Sequence, residues 1–243
     1  MAPAISDKFR NPAYYMNREL SWLQFDLRCL SEARNRENPL FERLNFLSIT
    51  ASNLDEFFMV RVASLLDMLN ADYKKKDIAG MTCQEQLTAI LKETHRFVDL
   101  QYSTLNRSLL PALDQEGIVL IDSYKELSKS EKAFLSEFFE TEVYPVVTPM
   151  AVDSSRPFPL IQNRSLNLGA MLSRKKDAGP GILNRDKKPK KGQKKGQPLE
   201  FATVQIPSVL PRVIRLPGKE DGKARVILLE TIIREKIESL FLN

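Results

Sequence analysis

The pentapeptide Ser52-Asn53-Leu54-Asp55-Glu56 sets a carboxamide and two carboxylates in the middle of a stretch, residues 45–62, whose apolar residues recur at helical spacing. A carboxamide carries a donor and an acceptor on one planar group, so Asn53 can pair with the edge of a nucleobase. It can also serve the backbone. Asn53 followed three positions later by Glu56 has the form of a helix start, in which the amide accepts from orphan N–H groups and the Glu reaches back. Other reactive sets are missing. The nine glycines are scattered, with no Gly-x-x-x-x-Gly-Lys loop to cradle phosphate. His95 is the single histidine, has no carboxylate at catalytic spacing and reads as a surface or boundary residue of a helix. Cys29 and Cys83 lack metal-ligand spacing and read as buried thiols rather than a disulfide framework.

The elements that must position Asn53 follow from periodicity. Leu40, Leu44, Leu47, Ala51, Leu54, Phe58, Val62, Leu65 and Leu69 recur at steps of three or four, the stripe of a core-facing helix or of two stacked helices. We expect one helix opened by Pro39 to end near Ser52 and another to run from Asn53 to about Tyr73, with Asp55 in its first turn, where a carboxylate suits the helix dipole. An earlier helix begins near Asn17 to Ser21, where Ser21-Trp22-Leu23-Gln24 fits a capping box. Thr82-Cys83-Gln84-Glu85 fits another and opens a long helix, with Pro111 a point of kinking and Gly117 its end. Residues 1–16 read as a loosely held terminus and residues 17–117 as an antiparallel helical bundle.

The pattern changes in residues 118–243. Ile118–Ile121 is strand-like, Ser128-Lys129-Ser130-Glu131 caps a helix, and Pro145, Pro149, Pro157 and Pro159 exclude regular helix beyond it. Strands follow near Leu166–Met171, Phe201–Ile206 and Arg225–Leu229, then a helix with Ile233, Ile237, Leu240 and Phe241 on one side. Segregated helices and strands argue for a mixed α+β second domain, and the whole chain is assigned to the α+β class.

Composition bounds the partners. Residues 174–198 hold ten Lys or Arg against two Asp, an excess of eight positive charges in a chain whose total is +5, so the remainder carries −3. The basicity belongs to one Lys/Gly/Pro/Gln tract that cannot bury a core and is expected to be a mobile loop. Attraction to a polyanion and a solvated hairpin insertion both fit it, the second at little entropic penalty. No aromatic residue interleaves the tract, so nucleic acid is not an expected partner. No apolar run approaches the roughly 20 residues that span a bilayer, and no secretory leader is visible. A cytoplasmic location is expected.

Several segments, taken together, resemble type 1 polyphosphate kinases. They are Asn17-Arg18-Glu19-Leu20-Ser21-Trp22-Leu23-Gln24-Phe25, Asn38-Pro39-Leu40-Phe41-Glu42-Arg43-Leu44 and Ser52-Asn53-Leu54-Asp55-Glu56-Phe57-Phe58-Met59-Val60-Arg61-Val62, then Arg156-Pro157-Phe158-Pro159 and Ser165-Leu166-Asn167-Leu168. The resemblance runs from about Tyr15 to Asn243. It implies an amino-terminal helical domain followed by an incomplete head domain, residues 118–243, so that the chain is a fragment ending inside the head. It implies that the intact enzyme moves the γ-phosphate of ATP reversibly onto inorganic polyphosphate through a phosphohistidine beyond this chain. His95 does not occupy that motif. The Mg2+ expected for the intact enzyme has no ligands here, and no catalytic residue falls within the chain, which alone should be inactive. Asn53 stands at the position that contacts the adenine side of ATP. The resemblance gives Asp55, Glu56 and Arg61 capping, pairing and packing roles, and implies a homodimer when intact. It departs from the family at Arg156, where His is common, so no titrating role survives there. A rival reading is a non-catalytic adaptor that binds polyanions through the Lys-rich loop.

Overall fold

The computed structural model describes residues 9, 11–152, 158–173, 200–218 and 222–241. The basic tract 174–198, Arg156 and most of the first ten residues lie outside the described residues. The chain forms two compact units, Met1–Gly117 and Ile118–Asn243. Its class is α+β.

The first unit is a bundle of three long rods. Helix α1 is Arg18–Arg34, and α2, Leu40–Phe57, runs back along it. A π turn over Phe58–Val62 joins α2 to α3, Ala63–Asn70, with no break in the helical backbone. Helix α4, Cys83–Thr104, packs on α1 and α3, and a second π turn over Leu105–Leu109 leads into α5, Leu110–Gln115. Gly117 then supplies the positive φ, +78°, that ends the helical run. Pro12–Tyr14 form a 3-10 turn ahead of the bundle.

Local chemistry explains where α1 and α4 start. Asn17 caps α1, its Oδ1 accepting from the Leu20 N–H at 2.9 Å, while its Nδ2 donates to Asp77 and Gln86 at 2.7 and 2.9 Å. The cap is therefore Asn17 and not Ser21, which lies inside the helix. Thr82 and Glu85 form the reciprocal box that opens α4. Leu23, Phe57, Val62, Leu65, Cys83, Leu87 and Ile90 bury together, and Leu30, Ala33 and Phe97 form a second cluster. A buried large apolar side chain of this kind contributes about 1.5–3 kcal/mol. Cys83 is buried and Cys29 half-buried, both as free thiols.

The expected break at Asn53 is absent. Asn53 sits inside α2, so it is not a cap, and Asp55 lies near the helix end rather than in a first turn. Ser52, Asp55 and Glu56 are exposed while Leu54 and Phe57 turn inward, so the polar run is the solvent face of a continuous helix. The change of phase comes later. Phe57 and Val62 are both buried although five residues apart, the step that a π turn provides.

In the second unit, strand β1 (Ile118–Ile121) pairs in parallel with β6 (Ala224–Leu228), and β5 (Val213–Arg215) pairs antiparallel with β6. A separate sheet has the order β2-β4-β3, with β2 Pro149–Val152, β3 Asn167–Leu172 and β4 Glu200–Gln205, all antiparallel. Strands β2 and β5 were not foreseen from sequence. Helices α6 (Lys129–Phe138) and α7 (Leu229–Glu235) share one core with these sheets through Leu135, Phe139, Val204, Ile214, Ile227 and Ile232. The expected last helix is shorter than its pattern, since α7 ends at Glu235 and Ile237–Phe241 form a 3-10 turn on the same core. Ser128 and Glu131 cap α6 reciprocally, and Arg225 of β6 donates to Glu131 at 2.7 Å. Burial alone would raise the Glu131 carboxyl, but the Ser128 N–H and the Arg225 guanidinium outweigh it and hold the group below its ordinary value.

Candidate functional site

Asn53 occupies the wall of an open groove of about 510 Å³ in the first unit. Helix α1 contributes Arg18, Glu19, Trp22 and Phe25, and α2 contributes Asn53, Glu56 and Phe57. The π turn adds Val60 and Arg61. The half-buried Trp22 stacks on the buried Phe57 with ring centroids 4.7 Å apart and planes 10° apart, so the aromatic surface of the groove on this side is that of Trp22. Phe25 stands 46% exposed at its edge. The polar rim is balanced. Glu19 is buried, accepts from Arg18 at 2.6 Å and lies 3.8 Å from the Arg61 guanidinium.

The side chain behind Asn53 is Asp26. It is completely buried, and its Oδ1 accepts from the Asn53 Nδ2 at 3.0 Å. Its Oδ2 has no partner among the described residues. Burial pushes this carboxyl up from 3.8 to about 6, against the opposing pull of the Asn53 amide. Near neutral pH Asp26 is an anion and can only accept. It therefore fixes which way the Asn53 amide faces: the nitrogen towards Asp26, leaving the carbonyl oxygen and one amide hydrogen without a protein partner among the described residues. A flat apolar surface next to a half-buried, oriented carboxamide suits a planar heterocycle with a donor and an acceptor on one edge.

Sequence reasoning found Asn53 and missed Asp26. The signal was present, because Asp26 falls three positions after Leu23 and four before Leu30, on the buried stripe of α1. A carboxylate on such a stripe must have a reason to be there. Asp55 and Glu56 are exposed, and Glu56 borders the groove. His95 is exposed on α4 and does not line the groove. Among the described residues no three His, Cys, Asp or Glu side chains cluster to hold a metal, and no helix is long and apolar enough to cross a membrane.

Comparison with known proteins adds an independent line. The family described as polyphosphate kinase N-terminal domain matches residues 15–121, and the polyphosphate kinase middle domain matches residues 130–243. A polyphosphate kinase of Lactiplantibacillus plantarum is 48% identical over 231 residues, which cover 95% of this chain and 29% of that protein. One from Halalkalibacterium halodurans is 45% identical over 95% of this chain and 30% of its own length. The crystal structure of the polyphosphate kinase from Porphyromonas gingivalis superposes with a TM-score of 0.75 at 28% identity, over 93% of this chain and 30% of that one. The chain thus spans about 30% of the length of the relatives it matches.

Proposed function

The chain belongs to the polyphosphate kinase family, and from that premise we propose that it supplies the nucleotide-base contact of such an enzyme. In this reading Asn53 meets the adenine edge of ATP. The observation that carries it is the Asn53–Asp26 bond, which turns the amide oxygen outward beside the Trp22–Phe57 stack. An outward acceptor pairs with the exocyclic amine of adenine, whereas guanine presents a carbonyl at that place. The aromatic side gives the ring an apolar surface, and Arg18 and Arg61 stand at the rim, both close to the Glu19 carboxylate.

The reaction of the whole enzyme is, in this proposal, the reversible transfer of the ATP γ-phosphate to inorganic polyphosphate, through a phosphohistidine that His95 does not provide. Such transfer rests on positioning and charge stabilisation. In this reading the Asn53 groove holds the base and the phosphate-carrying histidine belongs to another part of the whole enzyme, so residues 1–243 alone give no turnover. Measurable polyphosphate synthesis by the purified chain would refute this.

The binding test is a titration of ATP followed by the fluorescence of Trp22, the single tryptophan. Asn53→Ala weakens ATP roughly tenfold, the loss of about 1.4 kcal/mol that one well-made hydrogen bond to a base represents. Deleting residues 185–195 leaves ATP binding unchanged. The opposite pattern, in which Asn53→Ala is silent and the deletion abolishes a steeply salt-dependent interaction, selects the adaptor reading.

A further inference from the structure

Away from the Asn53 groove, four arginines gather at one end of the first unit. Arg34 is the last residue of α1, Arg36 lies in the turn that follows, Arg43 is on α2 and Arg107 is in the π turn over Leu105–Leu109. Arg34, Arg36 and Arg107 line an open pocket of about 230 Å³ with Ser103, Thr104 and Ser108. No carboxylate and no aromatic ring lines it. Among the described residues none of the four guanidinium groups has an ion-pair partner.

Arg43 makes the case specific. It is only 6% exposed, yet its partners are neutral: Nε donates to the Ala33 carbonyl at 3.0 Å, and Nη2 to the Ser108 hydroxyl at 2.7 Å. Burying a cation without a counter-charge is costly. The partial negative charge at the end of α1 meets part of that cost for Arg34 and Arg43. It gives no account of Arg36 or Arg107, whose charges repel the others across the pocket. Ser108 accepts from Arg43, so its own proton is free to point into the pocket, and the Ser103 hydroxyl has no protein partner among the described residues.

We propose that this pocket is a binding site for consecutive phosphate groups, separate from the base-binding groove. Guanidinium forks match phosphate oxygens in pairs and stay charged at every accessible pH. Two hydroxyl donors complete a wall on which polar surface outweighs apolar surface and which carries no aromatic ring to hold an organic body. The pocket is open and about 230 Å³, so successive phosphate groups of one chain have room to lie against its arginines, and orthophosphate serves as the single-group control. The site does not depend on Asn53, and its failure would leave the nucleotide reading untouched.

The probe is tripolyphosphate, titrated into the full chain by calorimetry at 100 mM salt, with orthophosphate and ATP as separate arms. The double substitution Arg36→Glu with Arg107→Glu changes two exposed side chains and leaves Arg43 in place. It weakens tripolyphosphate at least tenfold and flattens the salt dependence, while Asn53→Ala and deletion of residues 185–195 leave the same binding within twofold. If ATP weakens in parallel, the phosphates of a nucleotide occupy the pocket; if ATP is unaffected, inorganic polyphosphate does. Unchanged tripolyphosphate affinity in the double variant overturns the proposal, as does loss of binding only on deletion of 185–195. An arginine-directed label on the unsubstituted chain avoids any folding defect. Tripolyphosphate protects Arg36 and Arg107 from phenylglyoxal, and modification of both at the same rate with and without it refutes the site.

Discussion

Replacing Asp26 by Asn tests the buried carboxylate behind Asn53. Its folded value of about 6 against 3.8 for a solvated carboxyl corresponds to about 3 kcal/mol, at 1.36 kcal/mol for each unit. The sign follows from proton counts. Between these two values the folded state holds a proton that the unfolded state has released, so stability is greatest below pH 3.8 and falls as pH rises through 6. About 1 kcal/mol has been lost by pH 4.5, which leaves about 2 kcal/mol to be lost between pH 4.5 and 7.5. Asp26→Asn removes this titration while keeping the side-chain shape. The variant buries an amide whose hydrogens lack a partner at the old Oδ2 position, but that penalty is independent of pH and cancels when the two pH values are compared. The assay is urea unfolding at both pH values, read by Trp22, which sits in the same core as Phe57 and reports on the first unit. The stability of the variant relative to the unsubstituted chain rises by about 2 kcal/mol between pH 4.5 and 7.5. Parallel pH dependences for the two proteins would show that Asp26 is solvated or otherwise paired, so that its carboxyl is not desolvated behind Asn53.

Two further substitutions probe the frame around the sites. Arg225→Met strips Glu131 of its guanidinium partner while the carboxylate stays buried and bonded to Ser128, and should cost about 3 kcal/mol in thermal or urea unfolding of the second unit. The low Glu131 value adds stability above the ordinary carboxyl range that is lost as pH falls through the folded value, so the penalty of Arg225→Met shrinks in acid; a penalty that grows there would contradict the assignment. Thr82→Ala opens the capping box of α4 and should cost about 1 kcal/mol in urea unfolding, with faster amide exchange confined to the first turn of that helix.

How much of this was legible in the sequence depended on range. The Thr82–Glu85 and Ser128–Glu131 boxes were read correctly because each is closed by residues three apart. The same rule failed at Ser21, because Asn17 was already the cap and is held by Asp77 and Gln86, side chains 60 and 69 positions away. It failed again at Asn53, where a polar run on the outer face of α2 imitates a helix start. Strands β2 and β5 are short, and β5 exists through its pairing with β6, so their residues carry little signal of their own.

The order of apolar and polar residues determined the helical first unit and the mixed second unit, because periodicity and local capping are properties of neighbours in the chain, while the family was carried by the resemblance of the motifs around Trp22 and Asn53. The sequence also marked Asn53 as a residue worth following. Only the tertiary structure decided what Asn53 can do, since its orientation is set by a buried carboxylate 27 residues away on another helix. The same holds for the arginine pocket. Arg34 and Arg107 meet only because α1 and α4 pack together, and the buried Arg43 charge matters only once water has been excluded from around it.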